Sequence, residues 1–221
     1  MVLRTPMGAR RGYGPTHSQT LDKFLVGIDN VKTVALNTFI DPAILYESIY
    51  GEEHPVVVIE NKVDYGKRIL SNPLPNFVYE ANEDAYPVVR IRPVLSAPTV
   101  TLVAYGGVAD VVAKALNRIF IETELKPELI VPSLISHLPV DIIKDAIEIT
   151  GRLVVIEEGT SFAGIGSELI SAVMEQISSR VQVQIKRITA HPVPIPAVKS
   201  LENEIVPDED RIIREIKQRF C

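Results

Sequence analysis

From Thr99 onward, short apolar runs alternate with stretches of helical periodicity, and few folds accept that alternation. Thr99 to Ala104 reads as a strand, and Gly106-Gly107 as a turn. Val108, Val111, Val112, Ala115, Leu116, Ile119 and Phe120 then share one face of a helix. Glu128 to Val131 is a strand, and Val140 to Ile149 a helix stopped by Gly151. Leu153 to Ile156 is a strand, and Ile165 to Ile177 a helix that aligns Leu169, Val173 and Ile177. Val183 to Ile188 is the last strand. Pro192, Pro194 and Pro196 impose a loop, and Asp208 to Phe220 closes as a helix. Strands that alternate with helices pack as a parallel sheet covered on both faces. The predicted class is α/β.

Upstream, Val31 to Leu36 reads as a buried strand. Asp41-Pro42 reads as an N-cap with proline in the first turn, and Val56 to Ile59 as a second strand. That is a βαβ unit with parallel strands. Between the two zones, residues 66–98 hold Pro73, Pro75, Pro87, Pro93 and Pro98 with Asn72, Asn76 and Asn82. Proline at that density breaks long helices and central strands, so this stretch is expected to be a linker with a short edge strand near Val88 to Ile91. The expected organisation is residues 1–65, a linker at 66–98, and 99–221.

Composition excludes several classes. Twenty-three Lys+Arg against 28 Asp+Glu leave a net charge of −5, with 46% hydrophobic residues. That apolar content excludes a disordered chain. The acidic balance gives no general attraction to nucleic acid, and Arg10-Arg11 is too short for a binding patch. Val100 to Ala115 is the longest apolar candidate, and Asp110 and Lys114 interrupt it, so no membrane association is expected. The single cysteine, Cys221, excludes a disulfide scaffold and fits a cytoplasmic protein.

Ligands in open α/β sheets bind beyond the carboxyl ends of strands. Gly106-Gly107 lacks G-x-G-x-x-G spacing and reads as a tight turn. Glu157-Glu158-Gly159 reads as a solvated strand end, its two carboxylates on opposite faces. Glu60 and Lys62 share strand parity and are expected to pair structurally. His17, His54, His137 and His191 lack metal-ligand spacing, so no metal site is assigned. His17 stands apart, in a loop where Gly12, Gly14 and Pro15 shape the backbone and Thr16, Ser18 and Gln19 supply polar groups. That composition suits polar contact and equally suits a surface loop.

Gly14-Pro15-Thr16-His17-Ser18-Gln19 resembles the G-P-x-H-S-Q segment of the beta subunit of the first component of 2-oxo acid dehydrogenases. Arg4-Thr5-Pro6-Met7-Gly8 is similar to its R-x-P-x-G lead-in, and Glu60-Asn61-Lys62-Val63-Asp64-Tyr65 to its E-x-K-x-x-Y. Thr101 to Gly106, Gly151 to Gly159, Gly164 to Glu168 and Val193 to Pro196 continue the series in order. The motifs are individually weak; their order across the whole chain is specific.

The resemblance implies the C-terminal part of a pyrimidine-binding domain at 1–65 and a transketolase C-terminal-type domain at 99–221. It implies His17 as the active-site histidine, assisting decarboxylation of a pyruvate-type or branched-chain 2-oxo acid, or acyl transfer to a lipoyl group. Ser18 and Gln19 would hold the loop. The family's catalytic glutamate and its diphosphate and magnesium ligands have no match here. Thiamine diphosphate with magnesium is therefore expected only in complex with complementing chains, the isolated chain being inactive. Expected partners are an alpha-type subunit, an N-terminal beta segment, the dihydrolipoyl acyltransferase and a second copy through the C-terminal domain. The turn Tyr50 to Pro55 is longer than the family's, and no potassium is assigned. Two other readings stay open: a non-catalytic assembly or docking module of the same fold, and a transketolase-like transferase fragment.

Overall fold

Val100–Ala104 (β6) and Arg152–Thr160 (β8) are buried on almost every residue, as strands covered on both faces must be. In the computed structural model, which describes residues 1–69 and 74–221, they lie side by side and parallel, Leu102 opposite Val154. Pro127–Pro132 (β7) and Gln184–Ala190 (β9) extend this parallel array. Phe77–Ala81 (β4) and Val88–Pro93 (β5) complete a six-stranded sheet in the order β4-β5-β7-β6-β8-β9.

Strand alternation sorts the helices onto two faces. Leu102, Leu129 and Ile156 face Gly107–Thr123 (α2) and Glu209–Phe220 (α6) through Val112, Leu116, Ile119, Ile212 and Ile216. Val103, Ile130, Leu153 and Val155 face Val140–Thr150 (α3) and Ile165–Gln176 (α4) through Ile143, Ile147, Leu169 and Val173. Gly151 ends α3 with a left-handed backbone, φ 61°, its N–H donating to Ile147 O.

A second, three-stranded parallel sheet has the order β1-β3-β2, from Val2–Met7 (β1), Lys32–Ala35 (β2) and Val56–Asn61 (β3). Pro42–Tyr50 (α1) joins β2 to β3, capped by the Asp41 carboxylate, which accepts from Ala43 N at 2.9 Å. Backbone bonds tie the two sheets together: Ala35 N donates to Ser133 O at 2.8 Å, and Ile135 N to Thr33 O at 2.9 Å.

Three elements differ from the sequence expectation. The strand near 88–91 is not an edge: β5 pairs with β4 on one side and β7 on the other, both antiparallel. Pro87 lies just before it and Pro93 ends it, so no ladder N–H is lost inside it. β1 was not anticipated because Pro6 interrupts it; as an edge strand it tolerates that proline. Lys199–Ile205 (α5) follows the proline loop as a further short helix. Asn72 and Pro73 of the expected linker lie outside the described residues.

Candidate functional site

β1 ends at Met7, and the chain turns into the glycine loop through Gly8, with φ 104°. A side chain there would overlap Asn61, and one on Gly107 would come within 2.0 Å of Asn61 Nδ2. Asn61 is thus clamped between the glycine after β1 and the first residue of α2, its Oδ1 accepting from Val63 N at 3.1 Å. This close approach explains the second glycine of Gly106-Gly107; Gly106 supplies the turn, at φ 58°. Gly107→Ala is expected to destabilise the fold by about 1–3 kcal/mol through overpacking. Thermal unfolding of the variant checks this.

The loop from Ala9 to Thr20 is held from the larger unit. Ala9 N donates to Glu158 Oε1 at 2.6 Å, Thr20 Oγ1 donates to the same oxygen at 3.0 Å, and Gly12 N donates to Glu202 Oε2 at 2.6 Å. Glu202 and Ser18 are fully buried. Within the loop, Ser18 N and His17 N donate to Gly14 O at 3.0 and 3.3 Å, and Ser18 Oγ accepts from Tyr13 N. Arg11 donates to His17 O. The His17 ring is exposed, and no described side chain hydrogen-bonds to it. A fixed backbone therefore presents a free imidazole beyond the carboxyl end of β1.

Beneath the loop lies a carboxylate cluster. Asp22, on a 3-10 turn at Asp22–Phe24, is 2% exposed, Glu157 1% and Glu158 6%. The Tyr105 hydroxyl donates to Asp22 Oδ2 at 2.5 Å and lies 3.5 Å from Glu157 Oε1. Glu157 also accepts from Gly166 N at 2.9 Å and from Arg187 Nη2 at 2.7 Å. Burial raises the pKa of all three carboxyls, against the hydrogen bonds that favour their charged forms. Burial and the neighbouring Asp22 and Glu157 hold the Tyr105 hydroxyl well above its ordinary value.

The expected solvated end at Glu157-Glu158 is corrected: β8 continues to Thr160 and carries both carboxylates into the interior. The apolar run Leu153 to Ile156 was the available signal, since a doubly covered strand can keep its next residues inside. Glu60 is also corrected. It binds Arg4 Nε at 2.6 Å and Arg4 Nη2 at 2.9 Å, and Tyr46 OH at 2.7 Å, rather than Lys62. Lys62 has left the strand for a 3-10 turn and is exposed. His54, His137 and His191 are exposed.

Because the three buried carboxyls have raised folded pKa values, the folded state holds their protons where the unfolded chain has released them. Their stabilising contribution is complete below the ordinary carboxyl range and is lost as pH rises through the folded values. Asp22→Asn cannot ionise. Its stability relative to the native chain is expected to grow between about pH 4 and pH 8, as denaturant titrations at both ends would show.

The geometry defines an α/β protein whose strand ends converge on one polar loop. Residues 90–212, more than half of the chain, match the family described as "Transketolase, C-terminal domain", and the chain belongs to that family. It is similar to pyruvate dehydrogenase E1 component subunit beta from Rickettsia bellii, 28% identical over 218 residues, covering 99% of this chain and 64% of that protein. The same subunit of Porphyra purpurea is 29% identical, covering 98% and 63%. Subunit beta-2, mitochondrial, of Oryza sativa is 30% identical, covering 100% and 57%. The chain thus spans about three fifths of these relatives' length. Among solved structures, a split gene transketolase described as an inactive beta4 tetramer shares the fold, with a TM-score of 0.66 at 13% identity over 98% of this chain and 65% of that one. Among the described residues, no helix is long and apolar enough to cross a membrane.

Proposed function

We propose that this chain is a beta-type component of a thiamine diphosphate-dependent 2-oxo acid dehydrogenase, which works with an alpha-type subunit and an N-terminal beta segment. The observation that carries the reading is the loop of His17: its backbone is pinned by Glu158, Glu202 and Ser18, while its ring is left free. Relatives that match along the whole chain support the same reading. In it, His17 is the catalytic residue and exchanges a proton with the substrate or with the lipoyl acceptor during acyl transfer. Imidazole suits this because its ordinary pKa lies near neutral pH.

The crevice beside the buried carboxylates does not fit thiamine diphosphate with magnesium. The crevice between Gly8, Tyr105, Gly107 and Glu158 has a volume of about 20 Å³, room for little more than water. Among the described residues, no three His, Cys, Asp or Glu side chains are grouped to hold a metal ion. The proposal therefore leaves the cofactor to the complementing chains, and the isolated chain is inactive. Leu95, Ile121 and Phe162, which are 93%, 74% and 87% exposed, supply apolar surface for contact with the acyltransferase component or a second copy. The test is turnover of pyruvate and branched-chain 2-oxo acids with a lipoyl acceptor. Activity is expected when all complementing chains are present and absent when this chain is omitted; equal turnover without it would overturn the reading.

A further inference from the structure

A groove of about 390 Å³ opens at the carboxyl ends of β8 and β9, where ligands of parallel sheets bind, and is within the size range of small-molecule sites. The two strands flare there. Ile156 faces Ile188 and Thr160 faces Ala190, so four residues of β8 span two of β9. An irregularity of this kind bends the strand and interrupts the ladder. Leu21, Phe24, Val193 and Ile195 give the groove apolar walls, and Lys23 and Thr160 lie on the same lining. His17 and Tyr105 do not line it.

Lys23 is fixed in place without a counter-charge. Its Nζ donates to Thr160 Oγ1 at 2.8 Å and to Phe162 O at 2.9 Å, and lies 5.9 Å from the centre of the Phe24 ring. Both acceptors are neutral. Among the described residues, no carboxylate forms an ion pair with it. The neighbouring Asp22 turns its carboxyl to the Tyr105 hydroxyl and the Lys23 backbone N–H. Glu158, the acid on this lining, is also engaged: Oε1 accepts from Ala9 N and Thr20, and Oε2 from Asn61 Nδ2 at 3.4 Å. An ammonium carries three donors, so one remains beside an apolar groove. No second cation lines the groove, so a phosphate dianion would lack partners there. A single carboxylate matches the one free donor and the one unpaired charge.

We propose that this groove binds a small apolar monocarboxylate, its carboxylate on Lys23 and its hydrocarbon part against Leu21, Phe24 and Val193. The site is built from this chain alone and stands or falls independently of the dehydrogenase reading. The experiment titrates the full chain with 3-methylbutanoate and phenylacetate, and with the corresponding neutral amides, followed through its backbone amide NMR spectrum. Saturable shifts are expected at Lys23, Phe24, Thr160 and Val193 with at least one acid, and its amide should bind about fivefold more weakly or worse. Lys23→Met should remove that preference for the acid. Phe24→Ala, at a ring that is 68% exposed and so dispensable to the fold, should weaken acid and amide alike. If Lys23→Met fails to fold, the comparison of acid with amide on the native chain still decides. No saturable shift with either acid, equal binding of acid and amide, or acid binding that ignores Lys23→Met overturns the proposal.

Discussion

His17→Ala is expected to lower turnover of the fully reconstituted assembly by about 10²–10⁴-fold, the span that positioned acid–base groups contribute. The fold should not change. The ring is exposed, and the bonds that hold the loop run through the backbone of Ala9, Gly12 and Ser18 and through buried carboxylates. Unfolding of the variant should therefore match that of the native chain. The loss should concentrate in the step served by the imidazole, so kcat falls more than KM rises. Unchanged turnover with a lipoyl acceptor would remove His17 from the catalytic role and leave its loop as scaffold.

The largest stability effect is expected at Arg187. Its guanidinium meets Glu157 Oε2 at 2.7 Å, and the Glu157 side chain is 2% exposed. Arg187→Ala strands that carboxylate beside Asp22, which is also buried and shares Tyr105 with it. Breaking a buried pair on one side costs about 3–5 kcal/mol. The lower end is expected here, because Glu157 already has a raised pKa and relieves itself by taking a proton. Adding Glu157→Gln to Arg187→Ala should recover most of the loss, since a neutral amide needs no counter-charge. Denaturant unfolding of the two single variants and the double variant measures the coupling. A double variant no more stable than Arg187→Ala alone would show that the arginine acts through packing instead.

The larger unit was legible because its elements repeat two simple periods. Leu153 to Ile156 reads as a doubly buried strand, and Val108 to Ile119 as one helical face, because burial imposes those spacings. The hairpin of β4 and β5 was hidden by its prolines. They mark the strand's boundaries, and composition alone does not distinguish a boundary from a break. β1 was hidden for a related reason: an edge strand next to a partner 54 residues away leaves little local pattern.

The site was legible in one part only. His17 stood out through its loop composition and the order of the surrounding motifs, both of which are local. What fixes the loop is distant in sequence: Glu158 lies 149 positions from Ala9, and Glu202 190 positions from Gly12. A glutamate at a strand end or on a short helix usually faces water, and only the folded chain shows that these two face inward. Asp22 carried no signal, for it lies on a single 3-10 turn, and the Tyr105 hydroxyl that binds it lies 83 positions away.

The central claim is that this chain is a shared component, which presents His17 to a cofactor held elsewhere. Calorimetric titration with thiamine diphosphate and magnesium tests it most directly, first on the chain alone and then with an alpha-type subunit and the N-terminal beta segment present. The account predicts no heat of binding to the chain alone and saturable binding to the mixture. Tight binding by the isolated chain, or none by the mixture, would contradict it.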